Sequence, residues 1–181
     1  MSFEILIIDD NSDIRLILDE LITEAGYKTR MAANYNQALT EIDKKLPDVA
    51  ILDVKLDKGD NDGILLLDHI KKKNSDLPVI MISGHATVQI AVEATRLGAY
   101  EFIEKPFSKE KILNYVNRAL ESFELKQEKD LIENKLFHSF ELIGKSPSIT
   151  RVKKIIDKLH KQLIIEKNKT KDFELEIPQI S

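Results

Sequence analysis

The chain has no cysteine, and that absence removes disulfides, thiol catalysis and thiolate metal sites together. It fits a reducing cytosol. No run of about 18 consecutive apolar residues occurs, so no membrane-spanning helix is predicted. The first residues pass into a strand-like run without a basic leader or long apolar stretch, and the expectation is a cytoplasmic, unexported protein with no membrane partner. An excess of basic charge is missing too. Residues 1–123 carry 15 Lys+Arg against 21 Asp+Glu, a net of −6, whereas residues 124–181 carry 12 against 10, a net of +2. An acidic main part argues against nucleic-acid binding, since phosphate backbones are held mainly by Lys and Arg, and an acidic cleft suits a divalent cation better.

What the chain does have is a regular alternation. Short β-type runs alternate with longer segments of helical period, the pattern of a parallel α/β sheet. Asn11 or Ser12 can cap a first helix with Ile14, Ile17, Leu18, Leu21 and Ile22 on one face, and Gly26 stands where it would stop. A shorter, more polar strand at Lys28–Ala32 reads as nearer a sheet edge. A second helix over residues 36–46 turns Ala38, Leu39, Ile42 and Leu46 inward, and Pro47 ends it. Further helices are expected from Gly63 to about Lys73, over residues 86–97 before Gly98, and from around Ser108. Five strand–helix units thus fill residues 1 to about 121.

Beyond Lys109 the helical reading continues to about Lys135 without glycine or proline. Leu113, Val116, Leu120 and Phe123 follow heptad spacing until Gln127 and Asp130 interrupt it, which supports at most about two heptads of coiled coil. The same stripe would equally serve a helix packed on its own sheet. Residues 137–147 read as a loop, residues 149–163 as another amphipathic helix, and residues 166–181 as a charged, mobile tail.

Four of the apolar runs end in residues suited to phosphoryl chemistry. Ile5-Leu6-Ile7-Ile8 leads into Asp9-Asp10, Val49-Ala50-Ile51-Leu52 into Asp53, Val79-Ile80-Met81-Ile82 into Ser83, and Phe102-Ile103 into Glu104-Lys105-Pro106. In an open parallel sheet ligands bind at the carboxyl ends of the strands, so these residues are expected to meet. Adjacent carboxylates raise one another's pKa unless something neutralises them, and Mg²⁺, which prefers oxygen ligands, does so. Asp9, Asp10 and Asp53 are the candidate Mg²⁺ pocket, with Lys105 as a point charge and Ser83 as a hydroxyl donor for a phosphoryl group. With no cysteine and no Ser-His-Asp pattern, the nucleophile is a carboxylate. Asp53, ending the most apolar and therefore central strand, is the candidate.

In combination the motifs LIIDD, ILDV, MISGHA and EFIEKPF resemble the receiver domain of two-component response regulators over residues 3 to about 121. The resemblance implies a five-stranded, doubly wound, flavodoxin-like (CheY-like) α/β fold with an extended C-terminal helix. It implies that Asp53 takes phosphate from a phosphohistidine on a sensor histidine kinase, with Asp10 binding Mg²⁺ directly, Asp9 close by or through water, and the Lys55 main-chain carbonyl completing the protein ligands. Lys105 would bind the acyl phosphate, Ser83 would move to meet it, and Lys105–Pro106 would be cis. Phe102 stands where the family has a rotamer-switching aromatic, although an ordinary core aromatic is the competing reading. Lys55 and His85, two residues beyond Asp53 and Ser83, would border the phosphoryl group and tune its hydrolysis.

The segment between Asp53 and Gly63 is longer than the usual receiver turn and lacks its proline, and Asp57, Lys58, Asp60 and Asp62 are expected to border the site. This lengthening, together with a segment around Phe140, Gly144 and Pro147, resembles NtrX-type members of the NtrC group, in which a receiver precedes an AAA+ ATPase. No Gly-x-x-x-x-Gly-Lys-Ser/Thr string is present. The domain expectation is a receiver at 1–121, a helical linker at 122–136, and at 137–181 the truncated start of the ATPase domain, unable by itself to hydrolyse ATP or read an operator. The expected role is in transcription regulation, with a homodimer formed through the fourth helix, fifth strand, fifth helix and linker. Two other readings compete: an adaptor of receiver shape that works without phosphorylation, and an aspartate-dependent phosphohydrolase, which would need an acid–base Asp where Lys55 stands.

Overall fold

The computed structural model describes residues 3–57, 59, 61–84 and 87–141, with the backbone alone for residues 133, 134 and 136–141. In chain order its elements are β1 (Glu4–Ile8), α1 (Ser12–Glu24), β2 (Lys28–Ala32), α2 (Tyr35–Lys44), β3 (Val49–Asp53), α3 (Asp62–Lys73), β4 (Val79–Ser83), α4 (Val88–Arg96), β5 (Glu101–Glu104) and α5 (Lys109–Glu141). The strands form one parallel sheet in the order β2-β1-β3-β4-β5, so the chain reverses direction across the sheet after β2, between β1 and β3. This is the doubly wound arrangement expected.

Side-chain alternation along the strands supplies two cores, one on each face of the sheet. Leu6, Ile8, Ala50, Leu52, Val79 and Met81 pack with Ala38 and Ile42 of α2, Leu66, Leu67 and Ile70 of α3, and Ala94 of α4. The opposite set, Ile5, Ile7, Val49, Ile51, Ile80, Ile82 and Ile103, packs with Leu18, Leu21 and Ile22 of α1 and with Ile112, Val116, Ala119 and Leu120 of α5. Because β1, β3 and β4 are covered on both faces, they are apolar at nearly every position.

Local chemistry fixes the helix ends. Asn11, Asn34 and Thr87 cap α1, α2 and α4 with side-chain bonds to first-turn N–H groups. Gly26 and Gly98, with φ of 91° and 90°, take the left-handed conformation that closes α1 and α4. Ile17 departs from expectation: it is 49% exposed, because it sits about 40° beyond Leu21 at the margin of the apolar arc of α1. The heptad-spaced residues of α5 are resolved in favour of the sheet, since Val116 and Leu120 are buried and Leu113 packs against the same core. Residues 137–141, expected in a loop, continue α5, as they contain no glycine or proline to stop it.

The chain divides into two compact units, residues 1–128 and 129–181. The first holds the sheet and both cores. Of the second, the described part is the end of α5 up to Glu141, and the helix expected at 149–163 and the tail at 166–181 lie outside the described residues.

Candidate functional site

Strand register decides which residues meet. Ile8 pairs with Leu52, Asp53 with Ile82, and Ser83 with Glu104, so Asp9, Asp53, Ser83 and Lys105 all arrive at the carboxyl edge of the sheet. Asp9 continues the Ile5–Ile7 parity, Asp53 the Val49–Ile51 parity and Lys105 the Glu101–Ile103 parity, which directs all three to one side of the sheet. The Lys105 ammonium accordingly donates to Asp9 Oδ2 at 2.7 Å and to Asp53 Oδ2 at 2.8 Å. Carboxylate oxygens of Asp9, Asp10 and Asp53 lie within 4.8 Å of one another. The Lys105 N–H donates to the Ser83 carbonyl at 2.8 Å, fixing lysine and serine side by side, and the Lys105–Pro106 peptide is cis.

The three carboxylates differ in setting. Asp9 is buried, its Oδ1 accepting the Asn11 N–H at 2.9 Å and its Oδ2 held by Lys105. Asp53 is also buried and accepts the Lys55 backbone N–H. Asp10 is exposed and lines a cleft of about 490 Å³ with Asp53, Val54, Lys55, Asn61, Ser83, Gly84, Thr87, Ile90 and Lys105. Burial pushes the Asp53 carboxyl above its ordinary value, and the Asp9 charge adds to this while Lys105 opposes it. For Lys105, burial works against the ammonium, but hydrogen bonds to Asp53 and Asp9 outweigh it and hold the pKa above the usual lysine value. Lys105 thus brings one positive charge to three carboxylates. The remaining negative charge on hard oxygen donors fits a divalent cation such as Mg²⁺.

The site residues predicted from sequence converge here: Asp9, Asp10, Asp53, Ser83 and Lys105 share the cleft region, and Lys55 lines it. Phe102 is half-buried and packs on the core facing α2, α3 and α4. His85 lies outside the described residues, as do Lys58 and Asp60. Two expectations about the long loop need correction. Asp62 is buried and accepts the Leu56 N–H at 2.7 Å, and Asp57 accepts the Tyr35 N–H at 3.0 Å at the start of α2. Neither lines the cleft, because the N–H groups of the loop and of the start of α2 need acceptors of their own. Asn61 lines it instead. Sequence reasoning also passed over Thr87 and Ile90, whose place in the cleft depends on where the chain enters α4.

Gly63 holds the loop against the strand. A Cβ there would stand 2.0 Å from the Asp53 carbonyl oxygen and 2.7 Å from that of Val54, so no other residue fits without moving backbone.

A doubly wound sheet with a lysine-clamped acidic cleft at its carboxyl edge defines a class of phosphoryl-handling α/β domains. The family model described as the response regulator receiver domain matches residues 5–117. An NtrX-like response regulator of Rickettsia bellii is 39% identical over 155 residues, covering 86% of this chain and 32% of its own length. The nitrogen assimilation regulatory protein NtrX of Azorhizobium caulinodans is 36% identical over 159 residues, covering 88% and 35%. Among solved structures, the receiver domain of NtrX from Brucella abortus superposes with a TM-score of 0.61 at 44% identity, covering 65% of this chain and 98% of that one.

The chain belongs to the response regulator receiver family, and its receiver is of the NtrX/NtrC type. It spans about a third of the length of the curated relatives it matches. The receiver family is not a family of turnover enzymes, and the phosphohydrolase reading falls with that assignment and with lysine at position 55. Receiver domains of NtrC-type regulators are phosphorylated by sensor kinases and can dimerise. Among the described residues no helix is long and apolar enough to cross a membrane.

Proposed function

We propose that this chain accepts a phosphoryl group on Asp53 from a phosphohistidine of a sensor histidine kinase. A carboxylate oxygen of Asp53 attacks phosphorus, the bond from phosphorus to the donor breaks, and the leaving group departs with the electron pair and takes up a proton. Asp9, Asp10 and Asp53 would hold Mg²⁺ with the Lys55 main-chain carbonyl. When bound, the cation neutralises charge on the phosphoryl oxygens. Lys105 is positioned to release its bond to Asp53 in favour of the incoming group, and Ser83 supplies a hydroxyl beside it. The carrying observation is that Lys105 bonds Asp9 and Asp53 together, with Asp10 in the same cluster.

Downstream, Ser83 moving toward the phosphoryl group would let Phe102 repack on the core beneath α4, changing the face made by α4, β5 and α5. Val88 and Val92 on α4 are 81% and 52% exposed, an apolar surface suited to a homodimer extended by α5. Catalysis by the chain is limited to its own phosphorylation and dephosphorylation, since no ATPase motif is present. Residues 1–121 act as receiver, 122–136 as linker, and 137–181 as the opening of an AAA+ domain, within a cytoplasmic regulator of transcription.

Incubation with Mg²⁺ and acetyl phosphate, read by intact mass, is expected to add one phosphate, and Asp53→Asn to abolish it. An unchanged mass under conditions that label a control receiver would favour the adaptor that works without phosphorylation.

A further inference from the structure

The three carboxylates of the cleft are not held equally. Asp9 is fixed by Asn11 and Lys105, and Asp53 by Lys105 and the Lys55 N–H. Among the described residues, the Asp10 carboxylate has neither a hydrogen bond nor an ion pair, and it stands beyond Ile8, where the β1 ladder ends. Yet its direction matters most to a cation with near-octahedral demands, because it is the exposed ligand facing the cleft.

Arg15 supplies the missing constraint. Its Nη1 donates to the Asp9 carbonyl oxygen at 2.7 Å and to the Asp10 carbonyl oxygen at 3.0 Å. Those two carbonyls belong to the peptide planes on either side of the Asp10 Cα, so drawing both onto one nitrogen restrains φ and ψ of Asp10 and hence the direction of its Cβ. The geometry follows from the helix. Asn11 caps α1, the Arg15 N–H bonds the Asn11 carbonyl at 3.1 Å, and side chains on a helix tilt toward its N-terminus, which brings the guanidinium back over the β1–α1 connection.

We infer that Arg15 is a positioning residue for metal binding, holding the Asp10 backbone so that its carboxylate is pre-aimed at the cation. This inference rests on the proposed Mg²⁺ site. A guanidinium near a cation site repels the cation, so charge alone would make Arg15→Ala bind Mg²⁺ more tightly, whereas loss of the brace makes it bind more weakly. Ligand-orienting partners of this kind are worth roughly tenfold or more in metal affinity. Since both bonds come from a single nitrogen, a lysine can replace them.

The test is an amide chemical-shift titration of the full chain with MgCl₂, following Asp9, Asp10 and Asp53. Arg15→Ala and Arg15→Gln are expected to weaken binding roughly tenfold, with Arg15→Lys within about threefold of wild type, and saturating Mg²⁺ is expected to restore the acetyl phosphate labelling rate. Equal or tighter binding by Arg15→Gln, or a Lys variant no better than Gln, overturns the inference while leaving the site intact. Absence of saturable shifts in the wild type overturns the Mg²⁺ site itself. Spectral dispersion identifies any variant that fails to fold, and the Lys and Gln pair decides the matter if Ala does.

Discussion

A buried carboxylate beside another carboxylate is an energetic liability, and Asp53 carries it in the cleft proposed to take the phosphoryl group. Because burial and Asp9 raise its folded pKa, the folded state loses stability as pH rises from the ordinary carboxylate value through the raised one, and that loss persists at neutral pH. Asp53→Asn is therefore expected to raise the metal-free Tm at pH 7, with the gain shrinking toward pH 4. A gain that is constant or grows on acidification, followed by circular dichroism melts, would contradict this. Gly63 makes the complementary point. Its missing Cβ lets α3 begin against the Asp53 and Val54 carbonyls, and Gly63→Ala is expected to cost about 3 kcal/mol in urea unfolding. A loss below about 1 kcal/mol would mean that the loop yields more easily than its close contacts imply.

At the scale of elements, each strand–helix unit needs its free ends tied, and Arg30 of β2 shows how an edge strand does this. Its guanidinium donates to the carbonyls of Glu41 and Lys45 at the end of α2, to the Glu41 carboxylate, and pairs with Glu4 of β1 at 3.2 Å. Burial pushes Glu4 up, but Lys45 and Arg30 together outweigh it and hold its carboxyl below the usual range. A lowered folded pKa adds stability above the ordinary carboxylate value that disappears as pH falls through the folded one. Arg30→Ala is accordingly expected to cost about 2 kcal/mol at pH 7, allowing for partial exposure, and less at pH 3. Urea titrations at the two pH values check it, and an equal loss at both would assign the effect to the carbonyl bonds alone.

For the molecule as a whole, the proposed cation site would couple folding to cation binding. Carboxylates from β1 and β3 converge only in the folded sheet, so Mg²⁺ held at the proposed site would stabilise the folded state by RT ln(1 + [Mg²⁺]/Kd), about 1.4 kcal/mol at tenfold excess over Kd. Chelation is expected to lower Tm by several degrees in the wild type and to leave Asp53→Asn nearly unchanged. An equal shift in both would point to cation binding elsewhere on this acidic surface.

Much of this was written in the chain. Four apolar runs ending in Asp9-Asp10, Asp53, Ser83 and Lys105 give the strands, their parallel sense and the chemistry, because burial on both faces demands continuous apolar sequence and a ligand site takes whatever follows. Helix stops at Gly26 and Gly98 were equally plain, being set by local backbone preference. The sequence left open whether Leu113, Val116 and Leu120 faced a partner or their own sheet, since heptad and core spacing coincide over two turns. It misassigned Asp57 and Asp62, because a carboxylate that serves a loop's own N–H groups looks the same in one dimension as one that borders a site. Asn61, Thr87 and the Arg15 brace carried no signal at all. Composition and periodicity, summing local preferences and burial, determined the fold and the side chains gathered at the cleft. Only the tertiary structure decided which of them touch and which are held from behind, because register and loop closure join residues that sequence separation keeps independent.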